Sequence, residues 1–134
     1  MKSFLNKFNS GYMGDLNKTI LIVEDNMLLS LVYEQHIKNM GYETLDARVD
    51  ALSAIDAVKE YDPDLVIMDI ILEGSMDGID AMKQIRQFSD IPVIYVSGNS
   101  DQVHKQRADE TGYVDYLVKP ITRNDLKQTI QKAI

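Results

Sequence analysis

The sequence of 134 residues contains no cysteine, no tryptophan and only three prolines. The absence of cysteine excludes disulfides, cysteine-ligated zinc and thiol catalysis, and nothing points to an oxidising compartment. The longest apolar runs, at 65–68 and 91–96, are far shorter than the ~20 residues that a bilayer span requires. We therefore expect a cytoplasmic protein that does not span a membrane.

Positive charge is also scarce. Lys and Arg number 14 against 21 Asp and Glu, which gives a net charge of −7. Binding to a nucleic-acid duplex needs clustered cations that neutralise phosphates, whereas the cations here are scattered singly along the sequence. We therefore expect no nucleic-acid partner, and any output of the molecule should pass through a protein partner.

Short apolar runs alternate with longer amphipathic stretches from residue 19 onward. The pattern predicts strands over 19–23, 43–47, 65–68, 92–96 and 113–118, and helices over 27–40, 50–61, a stretch after Gly78, 100–111 and 122–133. The first helix carries an apolar stripe of Leu29, Val32, Tyr33, His36, Ile37 and Met40. Such alternation is typical of an α/β fold with a doubly wound, five-stranded parallel sheet that is covered on both faces.

Polar residues follow directly after four of these strands. They are Glu24, Asp25, Asp69, Ser97 and Lys119. In open parallel sheets, ligands bind outside the carboxyl ends of the strands, so we expect these side chains to converge. Three carboxylates suit a hard divalent cation such as Mg²⁺. A carboxylate beside such a cation, a lysine and a serine hydroxyl can act as a nucleophile toward a phosphoryl group.

Four motifs contain these residues: Leu-Ile-Val-Glu-Asp-Asn at 21–26, Leu-Val-Ile-Met-Asp at 65–69, Ile-Pro-Val-Ile-Tyr-Val-Ser at 91–97 and Tyr-Leu-Val-Lys-Pro at 116–120. A fifth motif, Met-Asp-Gly at 76–78, lies between the second and the third of them. In their order and spacing, the motifs resemble the response regulator receiver domain of two-component signalling, over residues 18–134. The resemblance implies a flavodoxin-like three-layer sandwich with strand order 2-1-3-4-5.

The resemblance also implies a role for each acidic residue. Asp69 is expected to be the phosphoacceptor, and Glu24 and Asp25 are expected to hold Mg²⁺ together with Asp69 and the backbone carbonyl of Ile71. Glu24 stands where the family more usually has Asp, which lengthens the reach of that ligand. The loop after Asp69 lacks the proline often found there and is one residue longer, so its geometry stays open.

The remaining site residues are expected to contact the phosphoryl group or to respond to its presence. By the same resemblance, Ser97 and Lys119 contact that group, and Tyr116 is an aromatic switch that turns inward when Ser97 moves. The donor is then a histidine kinase or a phosphotransfer protein. The signal is expected to leave through the surface of residues 98–134, which binds a downstream protein target.

Two other functions compete with this hypothesis. A phosphatase similar to the haloacid-dehalogenase superfamily also uses a strand-end Asp, a Ser or Thr, a Lys and Mg²⁺, but it needs a second Asp two residues after the nucleophile. That position is Ile71, which cannot transfer a proton. A degenerate receiver that binds partners without phosphorylation is disfavoured by the intact pocket. We expect no enzyme beyond a domain that catalyses its own phosphorylation and dephosphorylation.

Residues 1–17 form an N-terminal extension outside the resemblance. Phe4, Leu5, Phe8 and Tyr12 fall on one helical face, a pattern compatible with a short helix that docks or makes a homodimer, although Asn-Ser-Gly at 9–11 interrupts it. The alternative is a poorly ordered tail. No output domain follows the last helix in this sequence, so we expect a stand-alone receiver.

Overall fold

The computed structural model describes residues 17–98 and 101–134 as a single sheet with helices on both sides. The strands are β1 (Thr19–Val23), β2 (Glu43–Thr44), β3 (Leu65–Asp69), β4 (Val93–Ser97) and β5 (Asp115–Val118). The helices are α1 (Met27–Asn39), α2 (Ala51–Tyr61), α3 (Gly78–Ile85), α4 (Gln102–Asp109) and α5 (Arg123–Ala133). The prediction of a helix or a disordered tail in the N-terminal extension falls on residues 1–16, outside the described ones.

All strand pairs are parallel, and the strands lie in the order β2-β1-β3-β4-β5. The predicted strand order and doubly wound architecture are thus confirmed. The central strand β3 is buried along its whole length, as is β4. A parallel strand with both faces covered must be apolar on both faces, which explains the unbroken aliphatic runs in the sequence.

Two hydrophobic cores lie on opposite faces of the sheet. On one face, Ile22, Ile67 and Val96 pack with residues of α1 and α5, including Tyr33 and Ile130. The other face is covered by α2, α3 and α4, whose buried residues include Ile55, Met82 and Ala108. The sheet therefore separates two helical layers, and the carboxyl ends of its strands remain as the common edge where a site can form.

Two sequence-based predictions about the first βαβ unit were wrong in detail. Strand β2 ends at Thr44 rather than at residue 47, although Arg48 still donates its amide to the Ile22 carbonyl at 2.9 Å. Val32 was predicted on the inward stripe of α1, yet its side chain is 42% exposed. The helical repeat of 3.6 residues turns Val32 away from the face that buries Tyr33 and Ile37.

Helix α4 is the least anchored of the five helices. Ala108 is its one buried residue, and Val103, the other aliphatic residue of the helix, is 66% exposed. The helix is nevertheless capped, since the Asp101 carboxylate accepts the amide of His104 at 2.9 Å. With so little apolar burial, its position depends on polar contacts with its neighbours.

Within the described residues, none of the helices combines the length and the apolar composition that a membrane crossing would need.

Candidate functional site

The carboxyl ends of β1 and β3 bring three acidic side chains together. Val23 pairs with Met68, so Glu24 and Asp69 are the next residues on two hydrogen-bonded strands. Asp25 follows Glu24, before α1 begins. One carboxylate oxygen from each of the three residues lies within 4.8 Å of the other two. The convergence expected for Glu24, Asp25 and Asp69 is therefore present.

Lys119 enters the same cluster from the far side of β4. Val118 pairs with Ser97, and the Lys119 amide donates to the Ser97 carbonyl at 2.8 Å, which fixes the backbone at this point. The Lys119 Nζ lies 2.9 Å from Glu24 Oε1 and 3.1 Å from Asp69 Oδ2. One ammonium group thus serves two carboxylates.

The two carboxylates that share Lys119 are almost completely buried. Burial and the neighbouring Glu24 together raise the pKa of Asp69 to about 7, against the opposing effect of Lys119. Burial also raises the pKa of Glu24, but the Asn26 amide, 3.0 Å from Glu24 Oε2, and Lys119 outweigh it and leave the pKa below its ordinary value. The cluster therefore carries more negative charge than its single lysine balances.

The donor set and its charge fit a hard divalent cation. Burial and the adjacent Glu24 raise the pKa of Asp25 as well, so the carboxylates of Asp25 and Asp69 both lack sufficient counter-charge. Carboxylate and carbonyl oxygens are the ligands such cations prefer. The Ile71 carbonyl accepts no hydrogen bond from any residue in 17–98 or 101–134, and is thus available as a further ligand.

Gly78 lets the first turn of α3 pack directly against the backbone of Asp69. Its amide donates to the Ile70 carbonyl at 2.7 Å. A Cβ at this position would overlap the Asp69 carbonyl oxygen and lie 2.8 Å from the Met68 Cγ. Sequence reasoning placed Gly78 in the loop without a role. The sequence feature that could have predicted this role is the Asp77-x-x-Asp80 spacing around Gly78. These two residues form a capping box, which begins α3 next to the site.

The loop between Asp69 and α3, whose geometry the sequence left open, is held at several points. The Ile70 amide donates to the Val96 carbonyl at 3.0 Å, and Leu72 is buried. Glu73 forms an isolated parallel bridge with Asp50, the cap of α2. The Ile71 side chain remains 55% exposed beside the acidic cluster.

Ser97 and Tyr116 lie together on the β4–β5 side of the site. Ser97 is fully buried, one residue beyond Val96, which pairs with Asp69. Burial raises the pKa of Tyr116, while a hydrogen bond with the Ser97 side chain opposes that effect. The centroid of the Tyr116 ring lies 6.3 Å from the ring centroid of buried Tyr95. In this structure Tyr116 therefore occupies an inward position in contact with Ser97.

Arg107 connects α4 to the helix that supports Asp69, a role that sequence reasoning missed. Its guanidinium donates to Asp77 at 2.6 and 3.2 Å and to Asp80 at 3.0 Å. Burial raises the pKa of Asp77, but the hydrogen bonds from Arg107 and from the Asp80 amide outweigh it, and the net pKa is lowered. The weakly buried α4 is thus tied to the capping box of α3. In sequence, a lone Arg on a polar helix carries no sign of this.

Arg107→Gln is expected to lower the free energy of unfolding by about 1 kcal/mol, because the lost ion pair is bidentate and partly buried. Amide exchange in α4 should accelerate more than exchange in the strands, since α4 has little else to hold it. Lys83→Gln is the matched control. It removes the exposed Lys83–Glu110 ion pair (3.1 Å) of the same two helices and should leave exchange in α4 unchanged. Equal effects of the two substitutions would contradict the role given to Arg107.

Comparison with known proteins identifies the family of this fold. The family model of the response regulator receiver domain matches residues 20–131. The chain belongs to this family. It is 32% identical over 117 residues to the transcriptional regulatory protein PdtaR of Mycobacterium tuberculosis, covering 87% of this chain and 57% of that protein. The chain thus spans little more than half the length of this curated relative.

Solved structures of other receiver domains are similar. The receiver domain of a modulated diguanylate cyclase from Desulfovibrio desulfuricans G20 has a TM-score of 0.82 and 27% identity, over 88% of this chain and 94% of that chain. The receiver domain of a sensor histidine kinase from Pseudomonas aeruginosa PAO1 has a TM-score of 0.78 and 28% identity, over 87% and 97%. That neighbour holds a magnesium ion in its active-site cleft.

Membership of the receiver family confirms the resemblance seen in the sequence. The chain is a phosphoacceptor domain of the response regulator type, and its acidic cluster is suited to a divalent cation.

Proposed function

We propose that this receiver domain works in the cytoplasm, takes a phosphoryl group from a histidine kinase or a phosphotransfer protein onto Asp69, and then binds a protein target. The observation that carries the proposal is the environment of Asp69. Its carboxylate is almost fully buried, 3.1 Å from the Lys119 Nζ and next to two further acids. A purely structural acid would have no need of such crowding, which costs stability.

The chemistry assigned to Asp69 is nucleophilic. One Asp69 carboxylate oxygen attacks the phosphorus atom of the donor and forms a new oxygen–phosphorus bond. The bond between phosphorus and the donor atom breaks, and its electron pair stays on the donor atom. The product is an acyl phosphate on Asp69. Lys119 neutralises an incoming phosphoryl oxygen from its place between Asp69 and Glu24. Mg²⁺, held by Glu24, Asp25, Asp69 and the Ile71 carbonyl, would balance the remaining charge on the phosphoryl oxygens.

The output is assigned to the coupling of Ser97 with Tyr116. When the Ser97 hydroxyl moves to donate a hydrogen bond to the phosphoryl group, the hydrogen bond that it makes with Tyr116 in this structure breaks. The Tyr116 ring touches Lys105 of α4, whose Nζ lies 5.5 Å from the ring centroid, so the change reaches α4 directly. The surface of 98–134 then presents a different face to the target. A helix that buries one residue is suited to such a shift.

The same geometry argues against a phosphatase acting on other substrates. The position two residues after Asp69 is the exposed Ile71, which offers no acid or base to a leaving group. The domain therefore catalyses only reactions of its own aspartate, and it is not an enzyme with a separate substrate.

The proposed function predicts that phosphorylation by acetyl phosphate requires Mg²⁺. An anionic donor cannot approach three crowded carboxylates until a cation offsets their charge. Intact-mass spectrometry should show one added phosphoryl group with Mg²⁺ and none with EDTA. Ca²⁺ is the control, because it has the same charge as Mg²⁺ but prefers a different coordination geometry. Equal modification with Mg²⁺ and EDTA would exclude the proposed site.

A further inference from the structure

A second concave surface lies between α1 and α5, away from the acidic cluster. It is an open groove of about 420 Å³. Its lining combines cations, amides and two larger apolar side chains: His36, Asn39, Met40, Tyr42, Arg123, Asn124, Lys127 and Gln131. None of these residues belongs to the phosphoryl-acceptor site. The four from α5 lie within the surface of 98–134, and the other four lie outside it.

The groove is unusual in its charge. No acidic residue lines it, although the whole chain carries a net charge of −7. Arg123 and Lys127 are exposed and form no ion pair or hydrogen bond with any residue in the described part of the chain. Other cations of the same two helices are paired: Lys38 with Glu34 at 2.7 Å, and Lys132 with Asp115 at 3.0 Å. Among the lysines and arginines of α1 and α5, the two that form no ion pair with a described residue therefore both line the groove.

The spacing of the cations indicates the shape of a ligand. Arg123 and Lys127 lie one helical turn apart on α5, which places their Cβ atoms roughly 6 Å from each other. Side chains two residues apart on an extended peptide are separated by roughly 7 Å. The floor of the groove adds Met40 and Tyr42, which pack partly buried against the core and offer apolar contact. A single small anion would use only a fraction of this surface.

We propose that the groove between α1 and α5 binds an acidic, extended segment of a partner protein. Two carboxylates two residues apart in that segment pair with Arg123 and Lys127, and an apolar side chain of the segment lies against Met40 and Tyr42. Unpaired cations attract an acidic segment, which raises the rate of encounter, and they repel basic segments, which gives specificity. The interaction does not require Asp69 to be phosphorylated.

The test uses a fluorescein-labelled pentapeptide, Glu-Phe-Glu-Phe-Glu, and fluorescence anisotropy at 50 mM salt. Arg123→Gln with Lys127→Gln should weaken its binding at least tenfold. The matched control, Lys59→Gln with Lys83→Gln, removes the same charge from α2 and α3 on the opposite face of the sheet. It should change the affinity less than twofold, because exposed charges farther away than the Debye length, roughly 14 Å at this ionic strength, are largely screened. All four residues are exposed, and circular dichroism should show both variants folded.

Amide chemical shifts of the wild-type domain give the location independently. With the peptide, they should move in 36–42 and 123–131. Equal weakening by the two double variants, no binding of the peptide at millimolar concentration, or shifts elsewhere would each overturn the proposal. Equal binding of Lys-Phe-Lys-Phe-Lys would show an apolar contact without charge recognition. Full competition by an equal concentration of inorganic phosphate would assign the groove to a small anion, and dimers in sedimentation would assign it to a second copy.

Discussion

Asp69→Asn is expected to abolish phosphorylation by acetyl phosphate in the presence of Mg²⁺. The substitution is isosteric, but an amide lacks the anionic oxygen that attacks phosphorus. It also removes one of two buried carboxylates that share Lys119. The thermal midpoint in metal-free buffer at pH 8 should therefore be no lower than that of the wild type, which separates lost chemistry from lost structure.

Asp56→Asn provides the control for the same chemical change at an exposed position on α2. This variant should gain the phosphoryl group as the wild type does. Phosphorylation of the Asp69→Asn protein to the wild-type level would show that another residue is the acceptor.

Gly78→Ala is expected to cost about 3 kcal/mol of stability or to prevent folding, because the atom nearest to the new methyl group belongs to the backbone and cannot move aside as a side chain could. The atoms in its way are the Asp69 carbonyl oxygen and the Met68 Cγ. Gly98→Ala is the control, since a Cβ there has no heavy atom within 4 Å and the φ of Gly98 lies outside the left-handed region. It should stay within roughly 0.5 kcal/mol of the wild type in urea denaturation.

If Gly78→Ala were as stable as Gly98→Ala, α3 would not be packed on the Asp69 peptide as described. The packing of α3 against the Asp69 backbone could then not be what holds Asp69 in place. Should Gly78→Ala fold only partly, hydrogen exchange in β3 and α3 is expected to be affected before exchange in β1.

The acidic cluster could be predicted from the sequence because two simple regularities meet there. Continuous apolar runs mark β1 and β3 as buried parallel strands, and the residue after each run must lie at the carboxyl edge of the sheet. Glu24 and Asp69 follow such runs directly, so their proximity needed no knowledge of side-chain packing. Lys119 follows in the same way from the end of β5.

Contacts that depend on helix rotation could not be predicted in this way. Val32 fits an apolar stripe by spacing, yet the face of α1 that meets the sheet is defined by Tyr33 and Ile37. Arg107 gives no signal in its own segment, because its partners Asp77 and Asp80 lie about thirty residues earlier on another helix. The early end of β2 has a related cause. Leu45 and Arg48 still bond to β1, but the segment leaves regular pairing to reach the cap of α2.

The location of the acyl phosphate tests the central claim most directly. The domain is incubated with acetyl phosphate and Mg²⁺, treated with borohydride, which reduces an aspartyl phosphate to homoserine, and digested for tandem mass spectrometry. The account predicts homoserine at position 69 and an unmodified Asp25. Homoserine at position 25 with Asp69 intact, or no reduced residue in a sample that carries the added phosphoryl mass, would contradict it.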